Sequence, residues 1–399
     1  MYAKRILAIA ALTTALLAPA SAQAGRTVQG TANQAQMDIT TSTGNANRDD
    51  PTIVNHLVGL ISRAAPGSTI ITNVFRTEAN NDVVTALYLA KQINNVNVYV
   101  TYGDSDTQFD WVNQGTPNGA VRMHKCPLGC HNTSKSDGKA HSKYFLFDNT
   151  TRASGATSGA ALWISSANLN QGSGSKASNF ATTLYHDSDI WWGMWSVWMD
   201  AFNRDPNDGD YYRPQLGWNQ PHSGIVYSAK SASVAHISPD RDGGDMWAAQ
   251  LSPLAAQPGC IVRVMQAQIT DERLDAVNQV RRLANGGCAV RVLLGTKDDG
   301  SADIGTQARA LLCNAPNTLM KKRARLHDKE VEIYGTYEGT GGRVQVFSGS
   351  HNWTGNALRY NDEVLLRVSD SQSAYDALYD HFYDVWNNTT DSSSLAGCA

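Results

Sequence analysis

A chain of 399 residues is long for one domain, and 42% hydrophobic with 17% charged residues describes a globular protein with ample core. That balance excludes a disordered or fibrous chain, and a net charge of −3 gives no overall basic field of the kind a nucleic-acid binder carries.

Residues 1–24 read as an export signal. Lys4 and Arg5 form the positive start, Ile6 to Leu17 the apolar stretch, and Ala22-Gln23-Ala24 the small-residue cleavage site. The apolar stretch is shorter than the roughly 20 residues a bilayer span needs, so an uncleaved anchor is the weaker alternative. A secreted, soluble protein is expected. Loss of this segment takes the net charge from −3 to −5.

The next elements come in two similar series. Ser68 to Phe75 reads as a strand, Asn80 to Ile93 as a helix and Val96 to Tyr102 as a strand; later, Cys260 to Ile269, Asp271 to Ala284 and Cys288 to Leu294 repeat that order. Strand, helix and strand at this spacing are the parts of a parallel βαβ unit. Each half continues with strands carrying a His-x-Lys triplet, a small-small-x-Asn signature and a third apolar run (Ala181 to His186; Glu363 to Val368). Each closes on an aromatic-rich helix, Ile190 to Phe202 and Ala374 to Trp386. Trp191, Trp192, Trp195 and Trp198 suggest a lipid-facing stripe, but Tyr375, Leu378, Phe382 and Trp386 recur in the matching helix, which favours packing of each helix on its own sheet. Asn203 to Ser223 is rich in Asp, Asn, Pro and Gly and reads as a linker. The expected organisation is a signal over 1–24, a first lobe over 25–203, a linker over 204–223 and a second lobe over 224–399.

Export makes the six cysteines disulfide candidates, with fifteen possible pairings. Cys126 and Cys130 would close a tight loop, Cys260 and Cys288 each open a β-branched run, and Cys313 is left for Cys398. His124, Cys126, Cys130 and His131 also have the ligand types of a zinc site; an exported chain favours the disulfide.

The triplets are His141-Ser142-Lys143 and His327-Asp328-Lys329, 186 residues apart. Ser165-Ser166-Ala167-Asn168 follows the first and Gly349-Ser350-His351-Asn352 the second, with 25 residues from His141 to Ser166 and 23 from His327 to Ser350. Metal-independent cleavage of a phosphodiester needs a nucleophile, a proton donor for the leaving oxygen and fixed positive charge around the phosphoryl oxygens. Histidine serves the first two tasks because its pKa lies near working pH. Lysine two residues on along a strand shares its face, and the asparagines add neutral donors, a form of electrostatic stabilisation. Isolated histidines such as His56, His236 and His381 are read as having no function.

These doubled motifs resemble the phospholipase D superfamily, whose signature is His-x-Lys-x4-Asp, then Gly-Ser-x-Asn, then an acid that orients the histidine. The first copy matches at His141, Lys143, Asp148, Ser166 and Asn168, and the second at His327, Lys329, Gly349, Ser350, Asn352 and Glu363. The resemblance implies an α/β fold: two similar α/β/α sandwich lobes related by a pseudo-twofold axis, with a shared active site between them. It further implies that one histidine is phosphorylated while the other protonates the leaving group and then activates water, without cofactor or metal. Catalysis would fall to His141, Lys143, His327, Lys329, Asn168, Asn352 and Glu363, with Ser166, Ser350, Asp148 and Asn179 in support. Two departures are visible. Tyr334 replaces the signature Asp of the second copy, and Asn179 stands in the first copy where Glu363 stands in the second. An amide fixes the tautomer of an imidazole but does not raise its basicity as a carboxylate does, so the two histidines should differ in pKa and task. By analogy with secreted bacterial phospholipases D, His141 is assigned as nucleophile and His327 as general acid and base.

The motif defines the reaction better than the substrate. Export favours a monomeric phospholipase D acting on phospholipid, with transient membrane-surface contact. The alternative is a secreted endonuclease acting on nucleic acid, and a third is a non-catalytic phosphate-binding relative. Lys125, Lys135 and Lys139 before the first motif, and Lys321, Lys322, Arg323 and Arg325 before the second, form a candidate basic patch for a polyanion or an anionic lipid surface. Trp111, Val112 and Leu128 are candidate membrane-docking residues.

Overall fold

The computed structural model describes residues 25–45, 47–77, 82–105, 121–131, 138–155, 159–203, 224–239, 244–388, 391–395 and 398. The export signal over 1–24 and the 204–223 linker lie outside the described residues, as do Trp111, Val112 and Lys135.

Runs of β-branched and apolar residues build two mixed sheets with one topology. The first half contains β1 (Thr27–Ala32), β2 (Ala35–Thr43), α1 (Thr52–Ser62), β3 (Thr69–Thr77), α2 (Asp82–Asn94), β4 (Asn97–Ser105), β5 (Arg122–Lys125), β6 (Tyr144–Phe147), β7 (Ala161–Ser165), β8 (Ser178–Tyr185) and α3 (Ser188–Asn203). The second half contains β9 (Gly224–Ser228), β10 (Ser233–Ser238), α4 (Met246–Leu251), β11 (Ile261–Gln266), α5 (Leu274–Asn285), β12 (Ala289–Leu294), α6 (Thr306–Cys313), β13 (Thr318–Arg323), β14 (Lys329–Tyr337), β15 (Thr340–Gly349), α7 (Gly355–Arg359), β16 (Glu363–Ser369), α8 (Gln372–Trp386) and β17 (Ser392–Ser394). The first sheet runs β1-β2-β8-β7-β6-β3-β4-β5 and the second β9-β10-β16-β15-β14-β11-β12-β13-β17. Strand for strand the orders coincide, with β17 added at one edge.

The expected βαβ units are present: β3 pairs in parallel with β4 and β11 with β12. β6, at the centre of its sheet, is Tyr-Phe-Leu-Phe with all four side chains buried, as expected of a strand covered on both faces. The expected cysteine pairs also form, Cys126–Cys130, Cys260–Cys288 and Cys313–Cys398. The sulfurs of Cys126 and Cys130 are therefore bonded to each other rather than offered as zinc ligands.

Two expectations need correction. The histidines of the His-x-Lys triplets are not on strands of their own sheets: β6 begins only at Tyr144, after the first triplet, and β14 at Lys329, the last residue of the second. Each histidine leaves its sheet and hydrogen-bonds the other lobe, His141 N to the Asp362 carbonyl at 2.9 Å and His327 N to the Ser178 carbonyl at 3.1 Å. The closing helices also do more than cover their own sheets. Trp191, Met194 and Trp198 of α3 and Tyr375, Ala377 and Leu378 of α8 share one apolar core with Phe180 and Leu184 of β8 and Val364, Leu366 and Val368 of β16. The helices lie between the sheets because both sheets present apolar faces there. Trp192 alone of the four tryptophans is strongly exposed.

This shared core predicts that the lobes unfold together. Leu366→Ala, at a fully buried position, should cost about 2–5 kcal/mol and shift a single denaturant transition, seen alike by tryptophan fluorescence and far-UV circular dichroism.

Candidate active site

The lobes are joined at two crossings related by the internal symmetry. At one, Ala140 pairs with Asp362, and at the other Leu326 pairs with Ser178. Each crossing delivers a histidine of one lobe to the first residues of a strand in the other. Read along the chain, Glu363 belongs with the second motif and Asn179 with the first; in space they exchange. His141 Nδ1 lies 2.8 and 2.9 Å from the two carboxylate oxygens of Glu363, and His327 Nδ1 lies 3.0 Å from Asn179 Oδ1. Both acceptors suit a ring that carries its proton on Nδ1, and in that tautomer the lone pair lies on Nε2.

The serines of the two signatures aim these acceptors. Ser350 Oγ donates to Glu363 Oε2 at 2.5 Å, and Ser166 Oγ donates to Asn179 Oδ1 at 3.1 Å. Each is held in turn by the backbone of the next strand, Val364 N to Ser350 Oγ at 3.0 Å and Phe180 N to Ser166 Oγ at 3.1 Å. Ser166 and Ser350 are therefore fully buried positioning groups rather than phosphate ligands. Gly349 has a steric reason: a Cβ there would lie 2.1 Å from the Val364 carbonyl oxygen.

Lys143 and Lys329 are both buried, and each Nζ donates to the carbonyl of its own motif's histidine, Lys329 at 2.5 Å. Glu363 is the carboxylate that hydrogen-bonds His141, and the buried carboxyl groups of Asp328 and Glu330 also act on Lys329. Burial pushes the His141 pKa down to about 4 against the pull of Glu363, and lowers that of His327 well below the usual value, with Lys329 and Lys143 adding to the effect. Burial also lowers Lys329 to about 7 and Lys143 far below its normal range. Burial works to raise Glu363, yet His141 and Lys143 outweigh it and bring it down to about 2. Two histidines and two lysines buried together are the electrostatic preparation a phosphoryl group requires.

Asn168 and Asn352 each leave a buried side-chain oxygen without a hydrogen-bond partner, and Asn352 lines a cavity of about 630 Å³ beside His141. Phe75, Lys139, Thr270, Glu272, Arg359 and Tyr360 contribute further walls. Phe75 escaped the sequence reading because nothing marks an aromatic at a strand end. Its ring centroid is 5.1 Å from that of His141, and Lys143 Nζ lies 5.5 Å from its centre. Asp148 does not belong to the site: at the far end of β6 its carboxylate accepts from Thr69 N at 2.7 Å. Tyr334 is 39% exposed, so loss of the carboxylate there leaves the centre untouched. His381, read as a bystander, supports the second motif through a 3.0 Å contact with Asp328. The basic patch dissolves in part: Arg323 is buried and donates to the carbonyls of Thr43 and Gly44, while Lys321 and Lys322 donate to the carbonyls of Trp386 and Gly300.

The comparisons agree with this geometry. Residues 256–386 match the family model described as cardiolipin synthase, PLD-like domain, and the first lobe repeats that topology and motif. Residues 256–386 thus carry a PLD-like domain. No curated protein matches it by sequence. The fold is shared with phosphatidylserine synthase of Haemophilus influenzae at a TM-score of 0.61 and 12% identity, over 94% of this chain and 90% of that one. Polyphosphate kinase of Porphyromonas gingivalis matches at 14% identity and a TM-score of 0.48, over 79% of this chain, which spans only 46% of the kinase. The superfamily member Nuc of Salmonella typhimurium matches at 17% identity and a TM-score of 0.31, over 41% of this chain and 97% of Nuc.

Two predictions follow from the charge balance. An anion bound between the lysines raises their depressed pKa values, so inorganic phosphate should bind at pH 8 with proton uptake; calorimetry in buffers of differing ionisation enthalpy measures it. Glu363→Gln removes the group that holds His141 up, so the acid limb of a kcat/KM profile should move to lower pH. Asn179→Asp should move the His327 limb to higher pH.

Proposed function

We propose that the chain is a secreted phospholipase D that hydrolyses phospholipids to phosphatidic acid and a free headgroup. The carrying observation is the pairing of His141 with the Glu363 carboxylate beside a half-open cavity. With Nδ1 tied to Glu363, His141 Nε2 attacks phosphorus and the bond to the headgroup oxygen breaks. His327, paired with a neutral amide, takes up a proton as the anionic phosphodiester binds, gives it to that oxygen and then takes one from the water that displaces His141. Lys143, Lys329, Asn168 and Asn352 hold the phosphoryl oxygens through the reaction.

Lipid is favoured over nucleic acid by the character of the walls. A cavity of about 630 Å³ fits one compact polar group, and its cations Lys139 and Arg359 are balanced in part by Glu272. An extended polyanion asks for a continuous basic groove, and three of the candidate basic residues, Lys321, Lys322 and Arg323, are engaged with backbone carbonyls. The export pattern over 1–24 and the three disulfides support secretion.

Phosphatidylcholine vesicles should release choline in the presence of EDTA, while supercoiled plasmid stays intact; nicking without lipid hydrolysis would favour the endonuclease reading, and activity on neither the phosphate-binding one. His141→Ala and His327→Ala should each lose at least about 10²–10⁴-fold in turnover. Acid-quenched enzyme should carry its phosphoryl label on His141, and label on His327 would reverse the two roles.

A further inference from the structure

We infer that the disulfide-closed loop Cys126–Cys130, together with His131 and Asp362, is a positioning clamp that seats Glu363 against His141. The inference rests on the roles given to His141 and Glu363 above.

The backbone crossings are symmetric, but the side chains that fasten them are not. On the His327 side Ser178 Oγ donates to Asp328 Oδ2 at 2.5 Å, His381 meets the other oxygen at 3.0 Å, and no disulfide-closed loop takes part. On the His141 side the equivalent residue is Asp362, and its carboxylate gathers three donors. The backbone N–H groups of Cys130 and His131 donate to it, the latter at 3.0 Å, and His131 Nδ1 lies 3.1 Å from Oδ1. The other ring nitrogen of His131 is 3.8 Å from Asp200 on α3, and the imidazole side chain is only 1% exposed. Asp362 of the second lobe is thus tied through His131 to a helix of the first.

The disulfide decides whether two adjacent N–H groups stay pointed at one carboxylate. Cys126 N is anchored to the Tyr102 carbonyl of β4 at 2.7 Å, Gly129 N closes the turn onto the Cys126 carbonyl at 3.1 Å, and the Cys126 and Cys130 Cα atoms are 4.9 Å apart. A loop so closed has few other conformations in which to turn those donors away. Successive residues at the start of β16 project to opposite faces. Asp362 is held from the loop side, while Glu363 meets His141, Ser350 and, at 3.0 Å, Asn361 Nδ2. Fixing the first carboxylate fixes the peptide that carries the second.

The chain spends this device on one histidine only. Between β5 and His141 lie residues 126–140, whereas three residues, 324–326, separate β13 from His327. The inserted loop serves the histidine that has the carboxylate, where a displaced partner changes basicity as well as orientation.

Three variants test the clamp: Asp362→Asn, Cys126→Ser/Cys130→Ser and, as a control at the opposite ends of the strands, Cys260→Ser/Cys288→Ser. Each is checked for folding by thermal melting. For the first two, kcat should fall about tenfold with KM within about twofold, and the acid limb of kcat/KM should move to lower pH as His141 loses part of its carboxylate partner. The control double variant should lower the melting temperature without moving that limb. An unchanged kcat and pH profile overturns the clamp. So does a loss of activity that only follows the folded fraction, with the acid limb unmoved, since that describes a structural brace. Full activity in His141→Ala defeats the functional reading itself; an inactive His141→Ala beside a normal Asp362→Asn defeats the clamp alone.

Discussion

Two imidazoles and two lysine amines are buried at the seam between the lobes, and Glu363 is the carboxylate that bonds an imidazole there. Every other arrangement at the seam answers that crowding of basic groups. The depressed pKa values of His141, His327, Lys143 and Lys329 are the chain's response in the absence of a ligand: the groups shed protons rather than hold charge out of water. A phosphoryl group entering there supplies compensating negative charge. Glu363 stays ionised because basic neighbours surround it.

That crowding is stable only because the seam is rigid. The lobes share a core in which α3 and α8 pack between the two sheets, and the histidines are pinned by backbone bonds to the opposite lobe. A rotation of one lobe on the other would break both histidine contacts at once. Precision therefore comes from a large apolar interface at a distance from the chemistry, not from the few polar contacts around it.

Much of this was legible in the residues. The duplicated triplet, the offset to Ser166 and Ser350, the βαβ pattern and the three cysteine pairs all depend on local chemistry or on matching spacings, which a linear reading can compare. What it missed is what crosses between halves. Glu363 and Asn179 belong by position to one motif and by contact to the other, because the backbone at Ala140 and Leu326 leaves its own sheet. Phe75 carries no sequence signal, since an aromatic near a strand end is common, and His131, marked in the sequence only as a candidate metal ligand, shows its contact with Asp362 only in the folded chain. Asp148 fits the family signature, and its carboxylate secures the Thr69 backbone at a strand end, as a supporting hydrogen-bond partner rather than a catalyst would.

The exchange of partners across the axis has a consequence for how such a site can arise. If two identical copies of one lobe were paired as a symmetric dimer, both histidines would face the same residue, carboxylate or amide, and neither could specialise. Joining the copies in one chain frees positions 179 and 363 to differ. Division of labour between two chemically identical rings is thus a property of covalent linkage: only a fused pair can break its own symmetry one residue at a time.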